Sequence, residues 1–100
     1  MSKVKHIVLL KFKDGTSEEQ INQFFDEILD ISETVTGVED YVSGNNNSLE
    51  KQNQGFTHGF IMTFTNSDIR DAYVASAENE RFKKLCEPVV AATTIFDFEI

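Results

Sequence analysis

The chain reads as an α+β protein of element order β-α-β-β-α-β, in which a four-stranded antiparallel sheet carries its helices on one face. Three observations carry that reading. Residues 4–12 alternate with period two and are apolar on both faces at their centre. A capped, amphipathic helical pattern opens at Ser17. A second alternating run occupies residues 56–64, and right-handed crossovers fold such an order into a ferredoxin-like unit.

In the first strand Val4, His6, Val8, Leu10 and Phe12 share one face, and Lys5, Ile7, Leu9 and Lys11 share the other. Two apolar faces require two covers. Ser17 with Gln20 three residues on forms a capping box, and Glu18 and Glu19 suit the positive end of a helix. Ile21, Phe24, Phe25, Ile28, Leu29 and Val35 then recur at helical spacing as far as Gly37, a C-terminal cap. Val38–Ser43 is a short second strand. Gly44–Gly55 holds four Asn, two Gly and two Gln, the composition of a surface loop. In the third strand, Phe56–Phe64, His58, Phe60, Met62 and Phe64 alternate with Thr57, Gly59, Ile61 and Thr63. A glycine at 59, inside a strand, marks a bulge or a close backbone approach. Asn66 or Ser67 caps a short helix through Tyr73. Ser76 caps another, with Phe82, Leu85, Cys86, Val89 and Val90 on one face, and Pro88 inside that pattern predicts a kink or a helix end. Thr94–Ile100 is the terminal strand.

At 100 residues the chain has the size of one domain, spanning 1–100. Nine Lys+Arg against 17 Asp+Glu give a net charge of -8, which excludes nucleic acid as an expected partner. Lys3, Lys5, Lys11 and Lys13 read as solvated strand ends. The longest apolar run, Ile7–Leu10, is too short to span a bilayer, and no signal-peptide pattern is present. A single cysteine, Cys86, excludes an intrachain disulfide framework. A cytoplasmic setting follows as the expectation. If both helices lie on one sheet face, Ile7, Leu9 and Ile61 face outward on the other. A homodimer with two sheets packed face to face is the expected cover.

Few groups can carry chemistry. His6 and His58 both fall on the helix-covered face. On neighbouring strands they could meet as a polar pair lining a pocket, titrating near neutrality. The alternative is two buried histidines satisfied by their surroundings. Metal binding would require Asp97 or Glu99 to converge as a third ligand, and no HxH or HxxxH spacing exists, so neither metal nor cofactor is expected. Tyr73 beside a histidine could donate a proton or hold an enolate; otherwise it is a partly buried aromatic. Cys86, in phase with Phe82 and Leu85, reads as a core thiol.

Val4-Lys5-His6-Ile7-Val8 with Lys11-Phe12-Lys13 resembles the opening strand of the stress-responsive A/B barrel (Dabb) family. Gly44, Asn46, Ser48, Gly55-Phe56-Thr57-His58 and Phe64 extend the resemblance, and Ile95-Phe96-Asp97-Phe98 is similar to the family's closing strand. Tyr73 and Phe82 keep the spacing of its segment Tyr-x-x-His-Pro-x-His-x-x-Phe. The resemblance covers essentially the whole chain and implies a dimeric ferredoxin-like α+β barrel. Its members include stress-induced plant proteins and olivetolic acid cyclase. In that cyclase the pocket lies between sheet and helices and a Tyr–His pair does the acid/base work. By position the Tyr is Tyr73 and the His falls on Asn79, while the earlier His and Pro fall on Ser76 and Ala77. An amide cannot accept a proton at neutral pH, which counts against cyclisation. His6 and His58 match pocket histidines of the family.

The expected function is that of a homodimeric A/B-barrel protein binding a small, mostly apolar molecule. Phe24, Phe25, Ile28 and Leu29 would form one pocket wall and Val8, Leu10, Phe60 and Met62 the other. His6, His58 and Tyr73, with Asn79 nearby, would orient a carbonyl or hydroxyl. Two alternatives stand beside it. One is an enzyme of aldol or enol chemistry using His6 or His58 as base and Tyr73 as acid. The other is a structural stress-response protein without a ligand.

Overall fold

The computed structural model describes residues 2–100. Its elements are β1 (Val4–Phe12), α1 (Glu18–Thr34), β2 (Val38–Asn45), β3 (His58–Phe64), α2 (Ser67–Val74), α3 (Ala77–Cys86) and β4 (Val90–Glu99). The strands form one sheet of order β2-β3-β1-β4 with every pairing antiparallel. The ferredoxin-like order is therefore as the sequence predicts, with the second helical segment divided in two. β1 is central, paired with β3 on one side and β4 on the other; Val4, Val8 and Leu10 on its helix-covered face are buried, while Leu9 on the other face is 39% exposed.

The core lies between sheet and helices. Val4, Val8, Leu10, Ile28, Ile31, Met62 and Phe64 are wholly buried there. Both halves of the Ser17–Gln20 capping box are made. Asn66, not Ser67, caps α2, its side chain accepting from Ile69 N at 2.9 Å. Ser76 caps α3. Gly37 turns the chain out of α1 with φ +95°, and a Cβ on it would stand 2.5 Å from Ile69 Cγ2.

Several expectations are corrected. α3 ends at Cys86, so Val89 and Val90 are not part of its apolar face. Pro88 lies in the turn that follows; Val89 drops into the core and Val90 opens β4 opposite Phe12. β4 consequently starts four residues before Thr94. β2 extends to Asn45, so Gly44 is a strand residue paired with Gly59. Gly59 marks close approach and no bulge: a Cβ there would lie 3.2 Å from the Val8 carbonyl oxygen, while the register shifts fall at Lys11/Phe12 and Val38/Asp40. Leu29 is 45% exposed and does not belong to a helix–sheet pocket wall. The buried stripe of α1 is Ile21, Phe24, Ile28 and Ile31, completed by Ser32, and one residue past Ile28 the helix has already turned about 100° toward solvent.

Candidate functional site

His6 sits on β1 opposite Asp97 of β4, both on the helix-covered face. Its Nδ1 lies 2.8 Å from Asp97 Oδ1, and the other carboxylate oxygen, Oδ2, accepts from Arg70 Nη1 of α2 at 2.9 Å. An ionised carboxylate only accepts, and Asp97 accepts from Arg70 as well, so the proton of this contact is assigned to Nδ1. The contact fixes the orientation of the imidazole, and in the neutral ring it leaves Nε2 as the acceptor. No hydrogen bond among the described residues engages Nε2. Side-chain exposure falls from 23% at Arg70 to 19% at Asp97 and 8% at His6, so the triad runs inward from the surface.

Two aromatic rings complete the surroundings. Tyr73 packs edge-on to His6 at 6.1 Å between ring centroids, and Phe64 does so at 5.8 Å. Tyr73 is buried, and that burial, with smaller contributions from Cys86 and Glu78, pushes its phenol up to about 12. A phenol is already neutral in the physiological range, and burial extends that to higher pH, leaving its hydroxyl available as a donor.

His58 is not part of this group. It pairs with Leu10 on β1, four residues from His6, which puts the two histidines about 13 Å apart along the strand. The expected meeting of the two imidazoles at one end of the core is corrected by this register. His58 instead packs on Phe12 and Phe25, with Nδ1 2.8 Å from Thr57 Oγ1. Desolvation lowers its pKa, partly opposed by Glu18.

Val8, Leu10, Ile28 and Met62 have no exposed surface, and Phe24 and Phe60 almost none. Phe24 touches Phe12, Phe25 and Phe82, and Phe82 touches Phe60, so the rings fill the interior between these walls. Asn79 is in the first turn of α3, where its Nδ2 donates to the Val74 carbonyl at 2.9 Å. Cys86 is half-buried and burial raises its thiol to about 11. Among the described residues no group of three or more His, Cys, Asp or Glu side chains is placed to hold a metal ion, and no helix is long and apolar enough to cross a membrane.

Sequence reasoning missed Arg70 and considered Asp97 only as a metal ligand. The signal for Asp97 was present: one acid in the apolar run Ile95–Phe98, on the face that a central-strand histidine also occupies. Arg70 left none, because its role depends on how α2 lies across the sheet.

The sequence model of the stress responsive A/B barrel domain, Dabb, matches residues 4–100. The chain belongs to the Dabb family. Olivetolic acid cyclase of Cannabis sativa is 25% identical over 95 residues, covering 95% of this chain and 94% of the cyclase. The crystal structure of At3g17210 from Arabidopsis thaliana superposes with a TM-score of 0.89 at 26% identity, covering 95% of this chain and 92% of that one. A dimeric ferredoxin-like protein from Thermobifida fusca superposes with a TM-score of 0.82 at 15% identity, covering 99% and 92%.

Proposed function

We propose that this Dabb protein is a homodimer that binds a small, mostly apolar molecule between helices and sheet, with a carbonyl or hydroxyl of that molecule held by His6 and Tyr73. The observation that carries the reading is the His6–Asp97–Arg70 triad. It holds a nearly buried imidazole with Nε2 unengaged, beside a buried, neutral phenol. A neutral Nε2 accepts from a ligand hydroxyl, and the Tyr73 phenol donates to a carbonyl. Val4 and Phe64 supply apolar surroundings. Because the interior is ring-filled, a ligand enters by displacing side chains beneath α2, which at eight residues is the shortest helix. The homodimer is supported by the dimeric Thermobifida neighbour and by the apolar sheet face that no helix covers.

Two rival readings each have an observation behind them. The carboxylate-oriented imidazole next to a neutral phenol is also the pairing that proton transfer in enol chemistry uses, with His6 as base and Tyr73 as acid. The packed phenylalanine interior favours a structural protein without a ligand.

Amide NMR spectra with an added alkylresorcylate probe separate them. Binding at the proposed site shifts the amides of residues 4–8, Tyr73 and Asp97, and His6→Ala abolishes the shifts. No shift at millimolar probe would sink the binding reading and leave the structural one. Chemical change of a linear polyketide, lost in His6→Ala and in Tyr73→Phe, would establish the enzyme reading in its place.

A further inference from the structure

The helix-free face of the sheet is uneven in a specific way. Gly44 of β2 and Gly59 of β3 are direct cross-strand partners, and Gly59 is also opposite Leu9 of β1. With no side chains at these two positions, the face carries a hollow of about 390 Å3 whose floor is their backbone. Leu9, Val42, Phe56 and Ile61 form its walls. On the far side of the same face, β4 carries Phe96 and Phe98, opposite Ile7 and Lys5 of β1. These two rings touch each other at 6.1 Å and stand out, 64% and 44% exposed. One flank of the face is thus a bare glycine hollow and the other an aromatic ridge.

We propose that the hollow receives Phe96 of a second copy of this chain, so that the homodimer of the preceding section is closed by two reciprocal ring-into-hollow contacts. The inference rests on that homodimer and adds what specifies its register. The symmetry argument is direct. The sheet order is β2-β3-β1-β4, so hollow and ridge lie on opposite sides of its midline. A twofold axis between two stacked sheets, running along the strands, places β4 of each copy over β2 and β3 of the other. The ridge then meets the hollow twice. Along the strand, Phe96 is level with Ile7, Ile61 and Val42, which line the hollow, and one side-chain step of about 7 Å from the glycine pair, so the ring enters beside Val42 and Ile61 and leans toward the glycines. The hollow is roomy enough for a phenyl ring, and its mostly apolar lining, with Ser43, Asn45, Asn46 and Asn53 at one part of it, offers Leu9, Val42, Phe56 and Ile61 for such a ring to pack against.

The contact makes opposite predictions from general stickiness of an apolar face. A Cβ at Gly44 meets nothing within 4 Å in its own chain, and its φ is not positive, so the leucine of Gly44→Leu starts from an unstrained position and extends into the hollow. If the face associates merely by apolar area, added leucine tightens the dimer or leaves it unchanged. If Phe96 must enter the hollow, leucine blocks it.

The experiment is sedimentation equilibrium of the full chain and its variants, each checked by circular dichroism for an intact fold. Gly44→Leu is expected to raise the dimer dissociation constant at least tenfold. Phe96→Ala, at a surface position that should not unfold the protomer, is expected to do the same. Gly44→Leu combined with Phe96→Ala should dimerise more tightly than Gly44→Leu alone, because the blocked ring is gone. A wild-type dimer whose dissociation constant Gly44→Leu leaves unchanged or lowers overturns the contact while the homodimer stands. So does a double variant no tighter than Gly44→Leu, or an unaltered constant for Phe96→Ala. A wild-type protein that stays monomeric at high micromolar concentration overturns both the contact and the homodimer.

Discussion

Replacing Asp97 with asparagine tests the triad at its centre. The carboxylate accepts from His6 Nδ1 at 2.8 Å through one oxygen and from Arg70 Nη1 at 2.9 Å through the other. Asparagine has nearly the same shape but one acceptor and one donor. Whichever way the amide is turned, its NH2 faces either the guanidinium or the Nδ1–H. If it faces His6, the ring must take the other tautomer to accept. If it faces Arg70, a donor opposes a donor. A hydrogen bond to a charged group contributes about 1.5–3 kcal/mol. The His6 end counts nearly in full because its side chain is 8% exposed, whereas the Arg70 end, at 23%, is discounted for solvent screening. The expected loss is about 2–3 kcal/mol, below the 3–5 kcal/mol range of a fully buried broken pair. Urea unfolding at equilibrium reads the stability, with an unchanged slope showing that only the native state was altered. Nitrogen-correlated NMR of the neutral ring reads the tautomer: proton on Nδ1 in the wild type, with Nε2–H gaining population in the variant. A loss under about 0.5 kcal/mol, or a wild-type ring protonated at Nε2 alone, would refute the reasoning.

Three other outcomes follow from the structure. Gly37→Ala combines a positive φ with a Cβ 2.5 Å from Ile69 Cγ2 and should cost about 2–4 kcal/mol in denaturant unfolding; a loss below about 1 kcal/mol would contradict the packing at that turn. Burial raises Tyr73 to about 12 from 10.0 and Cys86 to about 11 from 9.0, so native protein holds both protons where the unfolded chain releases them; stability is full below the unfolded values and falls as pH rises through the folded ones, and phenolate absorbance from Tyr73 should appear only with unfolding. Asn79→His loses one partly solvated hydrogen bond to Val74 and should cost no more than about 1 kcal/mol, while cyclisation of a linear tetraketide should be faster in the variant than in the wild type; equal rates would show that position 79 is not where the base is missing.

Most of the fold was legible because local and global signals agree. The capping box at Ser17, the apolar stripe of α1 and the two-faced β1 each state in sequence what they do in space. The failures share one cause, a competition that local pattern cannot settle. Val89 and Val90 are in phase with Phe82 and Leu85, so helical periodicity claims them; Pro88 stops the helix, and strand pairing with Phe12 takes Val90 instead. Leu29 fits a generous helical stripe, but the sheet beneath α1 accommodates only the narrower line through Ile21, Phe24, Ile28 and Ile31.

The site shows the same limit more sharply. Alternation correctly puts both histidines on the covered face, because parity needs only the strand itself. Whether they meet depends on register between β1 and β3, and register is fixed by the whole interface. Pairing Leu10 with His58 moves the second imidazole four residues from the first, against Phe12 at the end of β1 and Phe25 of α1. What replaces it beside His6 comes from the other neighbour, β4, where Asp97 stands directly opposite. A partly buried carboxylate in an apolar strand is costly unless paired, and a buried imidazole with both nitrogens unpartnered is costly as well. Each is thus the natural solution to the other's desolvation. Arg70 then occupies the second carboxylate oxygen, so that Asp97 accepts from both neighbours. His6 Nε2 is left without a protein partner among the described residues, and it is the atom that the hydroxyl of the proposed ligand would engage.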